Sequence, residues 1–402
     1  MPGLRFIPFR KKDIVEMCLA DGRLDPARVA DFRQFCHLLE SVFHFEFHQR
    51  LERLKNLYAP VDPDSDTLMP DLPRSEEKTS LTDELRQLLE LANYEQLETR
   101  DIEEAFEASS LFQVKLKIEL DDYREVLLFV RGESEKTEKL SWFFGLLNKE
   151  ITFTNYDRVV LYIRFREDIA PELARDRPGA TMLKLFQNVP RADIEMLFPN
   201  TRVAMRNVDK LLIGLPAVAG AVAILTTKAG ASLLLLASLL GFWLGLHGDA
   251  VELDQATLIA ILAGVAGLGS YIWKQFSNFR NRKLMFMQSL TQSLYFKNLD
   301  NNAGVFHRLI DDAEEEECKE AILAYYFLLA SDKPLSEAAL DGQIESWFES
   351  RWQVSLDFEV SDALRKLESL GLLNDMRVPS PGQACQMLDQ RWDAYFNPAK
   401  GD

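Results

Sequence analysis

The stretch from Leu211 to Trp273 constrains this chain more than any other, because three apolar blocks follow one another there inside an otherwise acidic sequence. They read LLIGLPAVAGAVAILTT, ended by Lys228; ASLLLLASLLGFWLGL, ended by His247; and ATLIAILAGVAGLGSYIW, ended by Lys274. A bilayer core ~30 Å thick asks for about 20 apolar helical residues, with roughly 17 as a lower limit. Arg202, Arg206 and Lys210 precede the blocks and Lys274, Arg280, Arg282 and Lys283 follow them, whereas the loop HGDAVELDQ carries acids and no base. Basic flanks favour the cytoplasmic side, so an even number of crossings is expected, with spans at 230–246 and 256–273. The remaining block, 211–227, carries Gly214, Pro216 and Gly220. It reads as an interfacial or re-entrant element, as part of a long first span, or as buried core. Gly241 and Gly245 form a GxxxG pair, and Gly264 lies on a second small-residue face, both suited to close helix packing in lipid. GVAGLG has neither the spacing nor the preceding strand of a dinucleotide loop.

Elsewhere the balance is acidic: 46 Lys and Arg stand against 63 Asp and Glu, a formal charge of −17. A nucleic-acid surface needs clustered bases that displace counterions, so no nucleic-acid partner is expected. Cys18, Cys36, Cys318 and Cys385 show no paired spacing, which suits free thiols in a reducing compartment rather than a disulfide framework or zinc site. The first residues carry neither a secretory apolar core nor the acid-poor, Ser/Arg-rich pattern of a transit peptide. The resulting expectation is a multi-pass protein of a bacterial inner membrane with both termini cytoplasmic.

Five regions are expected: helical 1–60, an acidic, Pro-rich linker over 61–80, an α+β portion over 81–205, the membrane region 206–283, and a helical 284–402. In the first, Asp25 reads as a cap with Pro26 at the first helical position, and Phe32, Phe35, Cys36, Leu39, Phe43, Phe47, Leu51 and Leu54 recur at helical spacing. In the third, LTDELRQLLELANYEQLETRDIEEAFEAS reads as two short helices. LFQVKLKIEL, YREVLLFVRG, EITFTN and DRVVLYIRF read as a sheet of about four strands, the last apolar enough for a central position. His37, His44 and His48, with Glu40 nearby, raise a metal hypothesis, because His44 and His48 share a helix face. HFEFH is not HExxH, however, and the imidazoles also read as flanking an aromatic core face. No catalytic, cofactor-binding or metal residue is assigned, and His44 and His48 are retained only as weak metal candidates.

After the apolar blocks, Asp300, Asn301, Asn302 and Gly304 read as a turn between helices. The run Glu314–Glu317 reads as a solvated helix start, where negative charge complements the macrodipole. KPLSEAALDGQIESWFESRWQVSLDFEVSDALRKLESLGLLND has the cadence of a winged helix. Its second helix offsets Arg365 and Lys366 with Asp362 and Glu368, which favours a protein-docking or structural module over a DNA reader.

RFIPFRKKDIVEM, LFQNVPRADIEMLFPNTRVAMRNVDKLLIG and LTQSLYFKNLDNNAGVFHRLIDDAEEEECKEAILAYYFLL together resemble the DUF3754 family, which includes transmembrane protein 143-like proteins of organelles. The resemblance implies a two-span membrane protein and brings no catalytic residues, the family being one of unknown function.

The fold expected is therefore an α+β membrane protein: N-terminal helices with a small sheet, a two-span hairpin and a C-terminal winged-helix-like domain. The function expected is a membrane-anchored scaffold or assembly factor, with the lipid bilayer and a protein partner or homo-oligomer as its partners and no cofactor. Alternatives are an enzyme acting on lipid or another membrane substrate, a small transporter, and a membrane-tethered regulator.

Overall fold

The computed structural model of the chain describes residues 3–64, 80–98, 120–142, 147–168, 180–199, 294–331 and 333–396 continuously, with 115–117, 202–204 and scattered positions elsewhere. Two compact units emerge. Residues 1–107, 120–194 and 297–402 form the first, and residues 108–119 and 195–296 the second. In chain order the elements are α1 (Lys11–Ala20), α2 (Val29–Tyr58), α3 (Leu81–Leu91), β1 (Glu95–Gln96), β2 (Lys115–Lys117), β3 (Tyr123–Trp142), β4 (Leu147–Phe165), β5 (Thr181–Pro190), β6 (Arg202–Ala204), β7 (Asn298–Asn301), α4 (Ala303–Ala330), α5 (Glu337–Trp352), α6 (Val360–Ser369) and α7 (Pro381–Phe396).

The first unit is an antiparallel sheet of order β1-β3-β4-β5-β7 packed with helices. EITFTN and DRVVLYIRF run together as the single strand β4, which lies at the centre. Its alternate residues Val160 and Tyr162 join Leu127, Phe129, Leu183 and Leu185 in the core shared with the helices. The intervening Val159, Leu161 and Ile163 are also buried, which explains the near-continuous apolar run. Asp25 accepts from the Ala27 amide, and Pro26 opens a short 3-10 turn leading into α2, as the local sequence predicts.

The hub is α4. From Glu316 to Leu328 its side chains are buried all round, because α1, α2, α3, α5 and α6 all pack on it. The acid run therefore does not begin a helix in solvent. It lies in the middle of α4, with Glu316 at 3 % and Glu317 at 5 % exposure. Buried charge demands partners, and each is present. The Lys319 ammonium donates to Glu316 (2.9 Å) and to the Ile7 carbonyl (2.7 Å), while the Ile7 amide donates to Glu316 (3.0 Å). The Lys366 ammonium, brought in by α6, lies 2.9 Å from Glu317, 2.5 Å from Glu320 and 2.8 Å from Asp362. Asn93 donates to Glu320 as well. The turn expected at Asp300–Gly304 is the strand β7 followed directly by α4. No wing strand follows α6 among the described residues; Asn374 and Arg377 form only an isolated bridge.

β3 and β4 outrun the sheet. β1 pairs only with Val130 and Phe129, and β5 reaches only from Arg164 to Asn155 on β4. Beyond those points the pairing Glu135↔Thr154 to Trp142↔Leu147 continues as a two-stranded ribbon. Its reach is about 25 Å at ~3.3 Å per residue. Within the sheet Gly132 adopts φ +74°, a conformation that residues with a Cβ rarely take, and a Cβ there would lie 2.6 Å from Asp157 Oδ2.

In the second unit β2 pairs with β6, while scattered helical positions between 255 and 292 include the exposed Ile259, Leu262 and Trp273. Among the described residues no helix is long and apolar enough to cross a membrane. α2 and α4 have the length, but both are interrupted by charge. The two-span membrane fold and the multi-pass inner-membrane location are corrected accordingly. The block 211–227, the span at 230–246 apart from Leu244, and Gly241, Gly245 and Gly264 lie outside the described residues, as does most of 256–273.

Two expectations follow for the buried charges. Replacing Lys366 by Met leaves three carboxylates sharing a buried site without their cation, and should cost about 3–5 kcal/mol of unfolding free energy in urea titrations. Burial, against the opposing pull of Lys366, pushes Glu317 from the ordinary 4.5 up to about 7. The folded state thus holds this proton more tightly than the unfolded chain. The stability it contributes is complete below about pH 4.5 and is lost as pH rises through about 7. Between pH 5 and 8 the loss should be on the order of 2–3 kcal/mol, and Glu317→Gln should remove that part of the pH dependence.

Candidate functional site

Helical spacing puts His37, Glu40, Ser41, His44 and His48 along one stripe of α2. On α4 the same spacing aligns His307, Asp311 and Glu314. The packing of α2 against α4 brings these stripes side by side, with Lys11 of α1 between them. The result is an open cleft of two adjoining cavities. The larger, about 560 Å³, is lined by Lys11, His37, Glu40, His44, His48 and Glu314 among others. The smaller, about 380 Å³, shares Lys11, His44, His48 and Glu314 and adds Leu51, His307, Ile310 and Asp311. Four of the chain's five histidines therefore meet in one place.

Glu314 organises the cleft. Its Oε2 lies 2.9 Å from His44 Nδ1, and its Oε1 accepts from the Lys11 ammonium at 2.9 Å. The carboxylate is nearly buried, with 9 % of its side chain exposed, whereas His44 is 75 % exposed. A carboxylate accepting from Nδ1 leaves Nε2 with its lone pair available, as in oriented metal-ligand or base histidines. Burial lowers the affinity of Lys11 for its proton, but the hydrogen bond and charge of Glu314 outweigh it and the pKa is raised. Burial raises the pKa of Glu40, and raises that of Asp311 with help from Asp312 and Glu314. Glu46, the acid inside HFEFH, accepts instead from Arg391 of α7.

One other cluster has ligand-like geometry. Glu317, Glu320 and Asp362 place their oxygens within 4.8 Å of one another, and among the described residues this is the one such group. Lys366 already fills it, so an ammonium stands where a cation would bind. Cys18, Cys36, Cys318 and Cys385 are all buried free thiols. Burial raises their pKa values, which keeps them protonated and unreactive.

A third polar knot closes the joint between sheet and helices. Asn302, at φ +49° and ψ −129°, receives the Leu183 amide (3.2 Å) and the Tyr58 hydroxyl (3.1 Å), and its side-chain amide bonds Asp64. A non-glycine residue persists in that conformation only where its surroundings over-determine it. Residues 156–304 match the model of a family described as a protein of unknown function, DUF3754. This stretch belongs to the DUF3754 family. No solved structure matches the chain. The DUF3754 stretch begins at Tyr156, where the ribbon joins the sheet, and ends at Gly304, in the first turn of α4. It thus contains Asn302 and Leu183 of the knot but not Tyr58, Asp64, α2 or Glu314, so the family match does not assign the cleft.

Of the residues singled out from sequence, His37, Glu40, His44 and His48 do come together. His307, Asp311, Glu314 and Lys11 were missed. The shared face of His307, Asp311 and Glu314 is readable at i, i+4 and i+7, but its meeting with α2 is a long-range contact. Glu314→Ala should cost about 2 kcal/mol in urea unfolding, because it strips Lys11 and His44 of a nearly buried acceptor. His44→Ala, at an exposed side chain, should cost under about 0.5 kcal/mol.

Proposed function

We propose that this chain is an assembly protein that docks another protein on the tip of its β3–β4 ribbon. The observation that carries this reading is the ribbon's composition and position together. Trp142 and Leu147 form the last register pair. Between them the sequence supplies Phe143, Phe144, Gly145 and Leu146, an apolar, aromatic stretch, whereas the strands before and after it carry Glu133, Glu135, Lys136, Lys139 and Glu150. An isolated two-stranded hairpin is marginal in water, and among the described residues this one has no third strand to pair with. Aromatic side chains are the usual anchors of protein interfaces, and Trp142, Phe143 and Phe144 are consecutive in the sequence. A formal charge of −17 opposes association between copies of the chain, which favours a different protein as the occupant. Membrane anchorage forms no part of this reading.

A photo-crosslinking residue placed at Phe144 of the full chain tests it, beside the same residue placed at the exposed Glu349 of α5. The expected outcome is one discrete heteromeric adduct from position 144 alone, and a complex of defined mass that survives purification. Trp142→Ser with Phe144→Ser should weaken that complex at least tenfold while leaving the thermal midpoint unchanged. Adducts only between copies of the chain, equal labelling from both positions, or a complex indifferent to the substitutions would overturn the docking role.

A further inference from the structure

We infer that the cleft between α2 and α4 is a binding site for one divalent transition-metal ion, with His44, His48 and His307 as its nitrogen ligands. The inference stands apart from the ribbon and its partner.

Charge selects the class of ligand. The cleft sets the single ammonium of Lys11, already bonded to Glu314, against the carboxylates of Glu40, Asp311 and Glu314. Glu52 lies near enough to His48 and His307 for both to act on its carboxylate electrostatically, but it is itself paired with Lys55 at 2.8 Å. An anion is repelled from such a place and a cation attracted. The donors then select the cation: imidazole nitrogen suits zinc, nickel, copper or cobalt, whereas magnesium and calcium take oxygen.

Geometry selects the ligands. His44 and His48 stand one helical turn apart on α2, the spacing by which two imidazoles reach one ion. His307 lines the same 380 Å³ cavity from α4. His44 is oriented through Nδ1 by Glu314, and Glu314 by Lys11, the outer-shell arrangement that fixes a ligating histidine. Among the described residues His48 and His307 have no hydrogen-bond partner, and both are exposed, so their rings turn toward an ion at little cost. Their nitrogens are not drawn together to ligand spacing in this structure. Closure by side-chain rotation is therefore part of binding. Asp311, in the same cavity, supplies an oxygen ligand or bonds a metal-held water.

The deciding residue is His307. An i, i+4 histidine pair on any exposed helix captures nickel or zinc weakly, and only a built site needs the second helix. Tag-free full-length protein is titrated calorimetrically with zinc and with nickel, and its cobalt complex is followed by visible absorption. The expected result is one ion per chain, with affinity falling about 10- to 100-fold in His307→Ala and in His48→Ala, and a similar loss in Glu314→Gln. The cobalt spectrum should change in intensity when His307 is removed. His307→Gln, isosteric enough to preserve the fold, should reproduce the loss with an unchanged far-UV circular dichroism spectrum. No stoichiometric ion, or an affinity that His307→Ala and His307→Gln leave unchanged, overturns the site and reduces it to a surface pair on α2.

Discussion

The Lys366 ammonium, held among Glu317, Glu320 and Asp362, is the interaction on which the rest of the first unit depends. Taking three carboxylates and one ammonium out of water is costly, and mutual attraction offsets that cost only when every partner is placed. α4 therefore cannot be covered by just any apolar surface. α6 must approach at the turn that delivers Lys366, and the segment after α3 must deliver Asn93. The extended N-terminal segment must present both the amide and the carbonyl of Ile7 to Glu316 and Lys319. A row of charge inside a helix thus fixes which neighbours lie where, a role in specificity more than in gross stability.

The same row explains why the cleft has its chemistry. Glu314 is the first acid of the run, and its partners are the partly exposed Lys11 and the exposed His44. Residues 316 to 320 turn inward and are sealed by their own cations. One continuous acid run accordingly produces a closed ionic core at one end and an open, cation-favouring cleft at the other. The ribbon is the opposite case. It outruns the sheet beyond Ser134 and takes no part in the charge network of α4.

Local periodicity was legible where packing repeats along the chain. The buried stripe of α2, the cap at Asp25, the central position of β4 and the clustering of His44 with His48 all followed from spacing. Among the readings that failed are those of the acid run and of the apolar blocks. EEEECKE looks solvated because runs of charge usually are, and the lysine that neutralises Glu317 and Glu320 comes from α6, far along the chain. The apolar blocks between Leu211 and Trp273 meet the length and hydropathy criteria of spans, yet among the described residues no helix does. His307 and Glu314 shared a visible face, but nothing local says that this face meets α2. The segment RFIPFRKK, notable in sequence for its resemblance, proves to be a clasp: Ile7 and Lys11 within it hold Glu316, Lys319 and Glu314.

Native-state hydrogen exchange, resolved to peptides on the intact chain, tests most directly whether the charge-sealed α4 is the organising element and the ribbon an uncovered arm. The account predicts that amides of residues 316–328 exchange only by global unfolding and are the slowest in the first unit, whereas those of residues 135–141 and 148–154 exchange orders of magnitude faster through local opening. Exchange of α4 at the rate of the ribbon would contradict it, because a helix whose buried charges were properly partnered could not open alone.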